Sequence, residues 1–147
     1  MIQELQLQRV NYEDLLNMNL RHIFLIINRY LHEGNDIGTE MLDEIERATH
    51  YFNEHYNQPI IIEEYAKDRG MTANWFIQSF RKITKFTPMQ YILNLRMTNA
   101  MNLIDNTNYN MTQIANAIGY ENSMYFSRVF KKHTGMTPTE YKRRNEL

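Results

Sequence analysis

Ser127, Arg128, Lys131 and Lys132 fall on one face of a helical stretch whose other face carries Phe126, Val129 and Phe130. A guanidinium and two ammonium groups, backed by a stripe that must pack, suit a helix laid against a polyanion. The helix is bounded: Asn122 and Ser123 supply a start signal, Gly135 a stop, and Thr137-Pro138 opens the next helix with a cap and a first-turn proline. Other chemistry has little to work with. Cys is absent, which removes disulfides, thiolate metal sites and a cysteine nucleophile. The five His are dispersed, and His50 and His55, five apart, do not share a helical face, so neither metal nor cofactor is expected. No phosphate-cradling Gly loop is found and no nucleophile has an identifiable base, so no enzyme is expected.

The elements that must hold this helix occur twice. Subtracting fifty maps Phe126, Phe130, Lys132, Thr134, Thr137, Pro138 and Tyr141 onto Phe76, Phe80, Lys82, Thr84, Thr87, Pro88 and Tyr91. Upstream the match continues at a shift of forty-nine, Ala115 onto Ala66 and Gly119 onto Gly70, which puts one extra residue in the second turn. In each copy a small Ala precedes a Gly by four residues and an amphipathic basic helix follows. Ala permits close helix approach and Gly supplies the positive φ of a tight turn, so each copy reads as a helix-turn-helix.

Charge is divided in the same way. The net charge is −1, but residues 1–56 carry four Lys/Arg against ten Asp/Glu (−6), while residues 57–147 carry twelve against seven (+5). Between Arg69 and Ile104 there is no acidic residue, although Arg81, Lys82, Lys85 and Arg96 lie there. Two basic helices in one repeated frame favour nucleic acid over a merely solvated face. At 43% hydrophobic residues a core is affordable, and neither a run of about 18 apolar residues nor a cationic-then-apolar leader is present; a soluble, cytoplasmic chain with no membrane partner is expected.

Towards the N-terminus, Asn11 with Asp14 reads as a capping box and Gly34 as a stop. Between them Leu16, Leu20, Ile23, Ile27 and Tyr30 alternate steps of four and three, with Phe24, Ile26 and Leu31 widening the stripe. This is either a core helix of a domain largely outside the chain or a dimerisation helix across residues 11–34. The polar stretch from Asn35 to Gly38 reads as a linker with Thr39 as the N-cap of a helix carrying Met41, Leu42, Ile45, Ala48, Phe52 and Tyr56. The charged pairs Glu44 with Glu46 and Glu63 with Glu64 read as solvated faces. The organisation expected is therefore residues 1–38 as a helical linker and 39–147 as an all-α domain. Its two helix-turn-helix units lie at about 60–84 and 111–134, joined by a long helix from Pro88 to about Asp105 and closed by a short helix from Glu140 to Asn145. The connector's buried residues are expected to be Tyr91, Ile92, Leu95, Ala100, Leu103 and Ile104.

The ordered motifs now carry a resemblance. Pro59-Ile60 with Tyr65-Ala66, Phe80-Arg81-Lys82, Thr87-Pro88 with Tyr91, Leu95-Arg96 with Ala100, Ile114-Ala115 with Gly119-Tyr120, and the run from Tyr125 to Lys132 together resemble the DNA-binding domain of the AraC/XylS family of bacterial transcription regulators. The resemblance implies seven helices, the absence of most of a usual N-terminal sensing domain, and insertion of both second helices into successive major-groove segments. It also implies that the face opposite the two Phe makes the contacts: Asn74, Ile77, Gln78 and Arg81 in the first copy, and Met124, Ser127, Arg128 and Lys131 in the second. Gln78 and Arg128 can pair with adenine and guanine edges, and Ile77 can meet only a thymine methyl or nothing. Lys82, Lys131, Lys132 and the amides near Asn122 and Ser123 are expected to hold phosphates. Trp75, and its counterpart Tyr125, either pack in part or touch the sugar-phosphate backbone. Arg96 has either a buried structural partner or a phosphate.

The function expected is sequence-specific binding of double-stranded DNA that regulates transcription, with RNA polymerase and a second copy of the chain as further partners. The alternative is a protein-interaction module of a larger regulator with weak DNA binding of its own. Repair enzymes for alkylated DNA share this fold, but their chemistry uses cysteine.

Overall fold

The computed structural model describes Leu20, Ile23, Ile27 and residues 36–145. Apart from those first three helical residues, the described chain forms seven α-helices and no strand: α1 (Asp36–His55), α2 (Ile62–Asp68), α3 (Ala73–Thr84), α4 (Pro88–Asn106), α5 (Met111–Ala117), α6 (Ser123–Thr134) and α7 (Pro138–Asn145). The all-α architecture of two helix-turn-helix units with a long helix between them is as expected. Residues 36–55 with 60–92 make one compact unit, and 56–59 with 93–145 make another. Helix α4 begins in the first and ends in the second; its 19 residues give ~28 Å of axis.

The first unit is built on aromatic rings. Ile45, Ala48 and Phe52, spaced three and four apart on α1, are fully buried. Phe52 lies 5.4 Å from Tyr65 of α2 and 5.6 Å from Phe80 of α3, ring centre to ring centre, and Phe76 lies 5.1 Å from Tyr65. Burying each Phe contributes roughly 2–3 kcal/mol, and truncating one to Ala costs about 3–5 kcal/mol. In the second unit Phe126 and Phe130 of α6 close a core with Met97, Ala100 and Ile104 of α4, Ile114 and Ala115 of α5, and Ile118. The repeat is geometric as well as textual. Phe80 meets Tyr91 at 5.5 Å and 82°, and Phe130 meets Tyr141 at 5.7 Å and 80°.

The caps repeat too. Thr87 and Gln90 bond each other's backbone N–H at the start of α4, and Thr137 and Glu140 do so at the start of α7. The Thr137 amide and hydroxyl hold the Glu140 carboxyl below the usual carboxylate range. Thr84 donates to Phe80 O at 2.8 Å and accepts from Phe86 N at 3.2 Å, and Thr134 donates to Phe130 O at 2.8 Å and accepts from Met136 N at 3.4 Å, each tying its helix to the following loop.

Two expectations are corrected. Helix α1 starts at Asp36, so Thr39 is not its N-cap and the polar stretch is mostly helix. Asp is favoured in a first turn. A Cβ at Gly38 would meet nothing within 4 Å, so its glycine costs only propensity, about 1 kcal/mol, which packing further along the helix outweighs. Glu44 is not on a solvated face but 8% exposed. It accepts from the Tyr65 hydroxyl at 3.2 Å and pairs with Arg69 at 3.1 Å and Arg47 at 3.1 Å, and the Arg69 guanidinium stands 3.8 Å over the Tyr65 ring. The partner Glu46 is half-buried, whereas Glu63 and Glu64 are exposed as expected. Burial pushes the Tyr65 hydroxyl far above its usual range, with Arg69 opposing and Glu44 reinforcing. The signals at Asn11, Asp14 and Gly34 and the apolar positions Leu16, Phe24, Ile26, Tyr30 and Leu31 lie outside the described residues. No helix of the described residues is long and apolar enough to cross a membrane, and no group of three or more His, Asp or Glu there could hold a metal.

Candidate nucleic-acid interface

Each second helix is fixed at both ends before it presents a face. In the first unit Gly70, at φ +70°, donates to Lys67 O at 3.0 Å while Met71 donates to Ala66 O at 2.9 Å, closing the turn. The Thr72 hydroxyl then accepts from Trp75 N at 3.2 Å as the N-cap of α3. The far end is capped by Lys85 at φ +68°, whose N–H reaches Arg81 O at 2.9 Å and whose ammonium reaches Lys82 O at 2.9 Å. A non-glycine residue in this left-handed region is strained. With Phe76, Ser79, Phe80 and Thr84 buried, the opposite face leaves Asn74, Gln78, Arg81 and Lys82 exposed.

The second unit repeats the turn with Gly119 at φ +86°, its N–H to Asn116 O at 3.1 Å and Tyr120 N–H to Ala115 O at 2.8 Å. The Asn122 amide oxygen caps α6, accepting from Met124 N and Tyr125 N at 2.9 Å each, and Gly135 closes it at φ +84°. Two of the amides expected to hold a phosphate are thus already taken by Asn122. Met124, Arg128, Lys131 and Lys132 are exposed, Met124 at 74%.

Ile77 and Ser127 lie on the flanks instead. Both are half-buried, Ser127 donating to Ser123 O at 2.9 Å, and Ser123 is half-buried as well. Trp75 is 44% and Tyr125 56% exposed, so both have rings open to a ligand. Arg96 is structural: it donates to Tyr56 O at 2.6 Å and Gln58 O at 3.0 Å, with its guanidinium 5.2 Å from the Tyr120 ring centre. Burial raises the Tyr120 hydroxyl above its usual range, with Arg96 opposing. The sequence reading left out Lys142, Arg143 and Arg144, which form a basic last turn on α7. Their signal was the run itself.

A family model for the helix-turn-helix domain matches residues 65–144, more than half of the chain and the span holding both exposed helices. The chain belongs to the AraC-type helix-turn-helix family. Among its relatives is the MmsAB operon regulatory protein of Pseudomonas aeruginosa, 32% identical over 94 residues that make up 64% of this chain and 31% of that protein. The chain spans 31% to 40% of the length of that regulator and of the Msm operon regulatory protein of Streptococcus mutans. The C-terminal domain of AraT, a response regulator from Geobacillus stearothermophilus, superposes with a TM-score of 0.65 at 26% identity, over 68% of this chain and 84% of that one. The DNA-binding domain of AdpA, solved with a target DNA, shares the fold at a TM-score of 0.63 and 21% identity, over 68% of this chain and 90% of that domain.

Proposed function

We propose that this AraC-family chain binds double-stranded DNA sequence-specifically and so regulates transcription, with α3 and α6 each entering one of two successive major-groove segments. The observation that carries this reading is the doubled design: two helices capped at both ends, each locked from behind by two buried Phe and each exposing a Gln or Arg among Lys and Arg. Gln78 and Arg128 would read base edges, Arg81, Lys82, Lys131 and Lys132 would meet phosphates, and the half-buried Ile77 would meet at most a thymine methyl. Operon regulation in the relatives' names supports the same reading. Residues 39–147 would be the DNA-binding part and 1–38 the linker, a boundary that falls in the first turn of α1, with RNA polymerase and a second copy as further partners. Leu20, Ile23 and Ile27, helical and 52%, 51% and 47% exposed, support self-association through that segment. The test is selection of bound duplexes from random DNA, then affinity against salt. About six neutralised phosphates give a slope near −5 in log affinity against log salt. A flat response, or no enriched sequence, sinks the reading.

A further inference from the structure

Position by position, the two units differ over most of one surface. In the first unit Ile61, Ile62, Ile77 and Met89 line an apolar groove of about 440 Å³ whose charged edge is Glu63, with Glu64 exposed beside it. Ile61 is 52% and Met89 57% exposed. The second unit has Asn110, Met111, Ser127 and Thr139 at those four positions and Thr112 and Gln113 in place of the two acids, while Thr137 and Pro138 repeat the groove's Thr87 and Pro88 and Tyr109 stands for its Ile60. The same fold is thus built without the exposed apolar pair or the acids.

Local chemistry sharpens the contrast. Ile61 occupies the N-cap of α2 and makes no side-chain cap bond, whereas Asn110 at the equivalent place forms a full capping box with Gln113. A polar cap is favoured at that position, and Glu64 stands where it could complete a box. The chain forgoes the cap and exposes an isoleucine beside a methionine. An apolar groove rimmed by charged residues is the kind of surface that marks an interaction site.

We propose that this groove docks a protein segment of amphipathic character, its apolar side chains seated on Ile61, Ile77 and Met89 and its flanking Lys or Arg meeting Glu63 and Glu64. The acidic edge selects the occupant: it attracts a cationic peptide and repels a nucleic-acid backbone. This surface shares only the half-buried Ile77 with the exposed Gln78 and Arg81 face, and it stands whether or not the DNA reading does.

The test uses the second unit's own residues. A random 12-residue peptide display library is selected on the full chain and counter-selected on the Ile61→Asn/Met89→Thr variant, with circular dichroism checking the helices of both. Enriched peptides are expected to carry two or three large apolar residues flanked by Lys or Arg. They should bind the variant at least tenfold more weakly, and the Glu63→Thr/Glu64→Gln variant should lose the preference for cationic flanks. Acidic winners, or winners that bind the variant equally well, overturn the proposal. So does a tenfold loss of duplex affinity in Ile61→Asn/Met89→Thr with no peptide enriched, since the groove would then belong to DNA. Met89→Thr alone, at an exposed site, repeats the measurement if the double variant misfolds.

Discussion

One methyl group added at Gly119 and at Gly70 separates backbone strain from collision. Both glycines sit in the left-handed region, at φ +86° and +70°, so alanine at either costs roughly 1–2 kcal/mol, offset by about 0.4–1 kcal/mol from the stiffer unfolded chain. At Gly70 a Cβ meets nothing within 4 Å, so the net loss should be about 1 kcal/mol. At Gly119 the Cβ would collide with Asn57 O and lie 2.7 Å from its carbonyl carbon and 3.0 Å from its Cα. That segment cannot give way freely, because the carbonyls of Tyr56 and Gln58 on either side accept from Arg96. Moving it weakens two hydrogen bonds to a charged donor, each worth about 1.5–3 kcal/mol. Gly119→Ala should therefore lose about 3–4 kcal/mol or more. For units of this size the melting temperature should fall by more than about 12 °C for Gly119→Ala and by about 5 °C for Gly70→Ala. Thermal unfolding followed by circular dichroism measures both, with Trp75, the single tryptophan, reporting the first unit. A difference below about 1 kcal/mol would refute the argument that Asn57 is held rigidly against the turn.

Arg128→Ala should cost about 1–3 kcal/mol of DNA affinity and relax preference at one base pair, whereas Lys132→Ala should weaken all sequences alike and lower the salt slope by about one; binding profiles over single-base variants of a selected duplex decide it. Glu44→Gln should destabilise the first unit by about 2 kcal/mol in urea unfolding, since it leaves Arg69 without its buried anion, while Arg47→Ala, its side chain 61% exposed, should cost under about 0.5 kcal/mol. Alkaline pH should unfold the protein: burial raises Tyr65 and Tyr91 above 10, so the unfolded chain ionises first and stability, intact below pH 10, falls above it. Each of the two then contributes up to about 1.4 kcal/mol per pH unit, and a stability profile flat from pH 9 to 11 would contradict this.

The repeat made most of this fold legible, because paired Phe, a Gly in each turn and Thr-Pro caps are local signals that sequence spacing preserves. What escaped depends on partners far along the chain. Glu44 reads as solvated until Tyr65 and Arg69, on or just past another helix, close over it. The ligands of Arg96 are backbone carbonyls 40 and 38 residues away, which no side-chain pattern announces. Helix α4 hid its full core face for a different reason: Tyr91 serves the first core and Met97, Ala100 and Ile104 the second, so no single stripe marks it and the fully buried Met97 went unassigned. The candidate interface was legible as a face but not at its edges, where Ile77, Ser123 and Ser127 proved half-buried.

Comparison of the copies also separates what the scaffold requires from what each helix must meet. Where packing decides, the units agree: Phe76 with Phe126, Phe80 with Phe130, Thr84 with Thr134. Where charge alone matters they also agree, Arg81 with Lys131 and Lys82 with Lys132 both remaining cationic and exposed. They part at Asn74 and Met124, at Ile77 and Ser127, and at Gln78 and Arg128. A phosphate asks only for a cation, so positions facing the backbone can stay alike, whereas a base edge asks for a particular set of donors and acceptors. Under the proposed function, then, the two helices keep one pair of cations in common, Arg128 adds a third on α6, and they present different chemistry to the groove. On that proposal the DNA they recognise is two unlike segments, not a repeat of one.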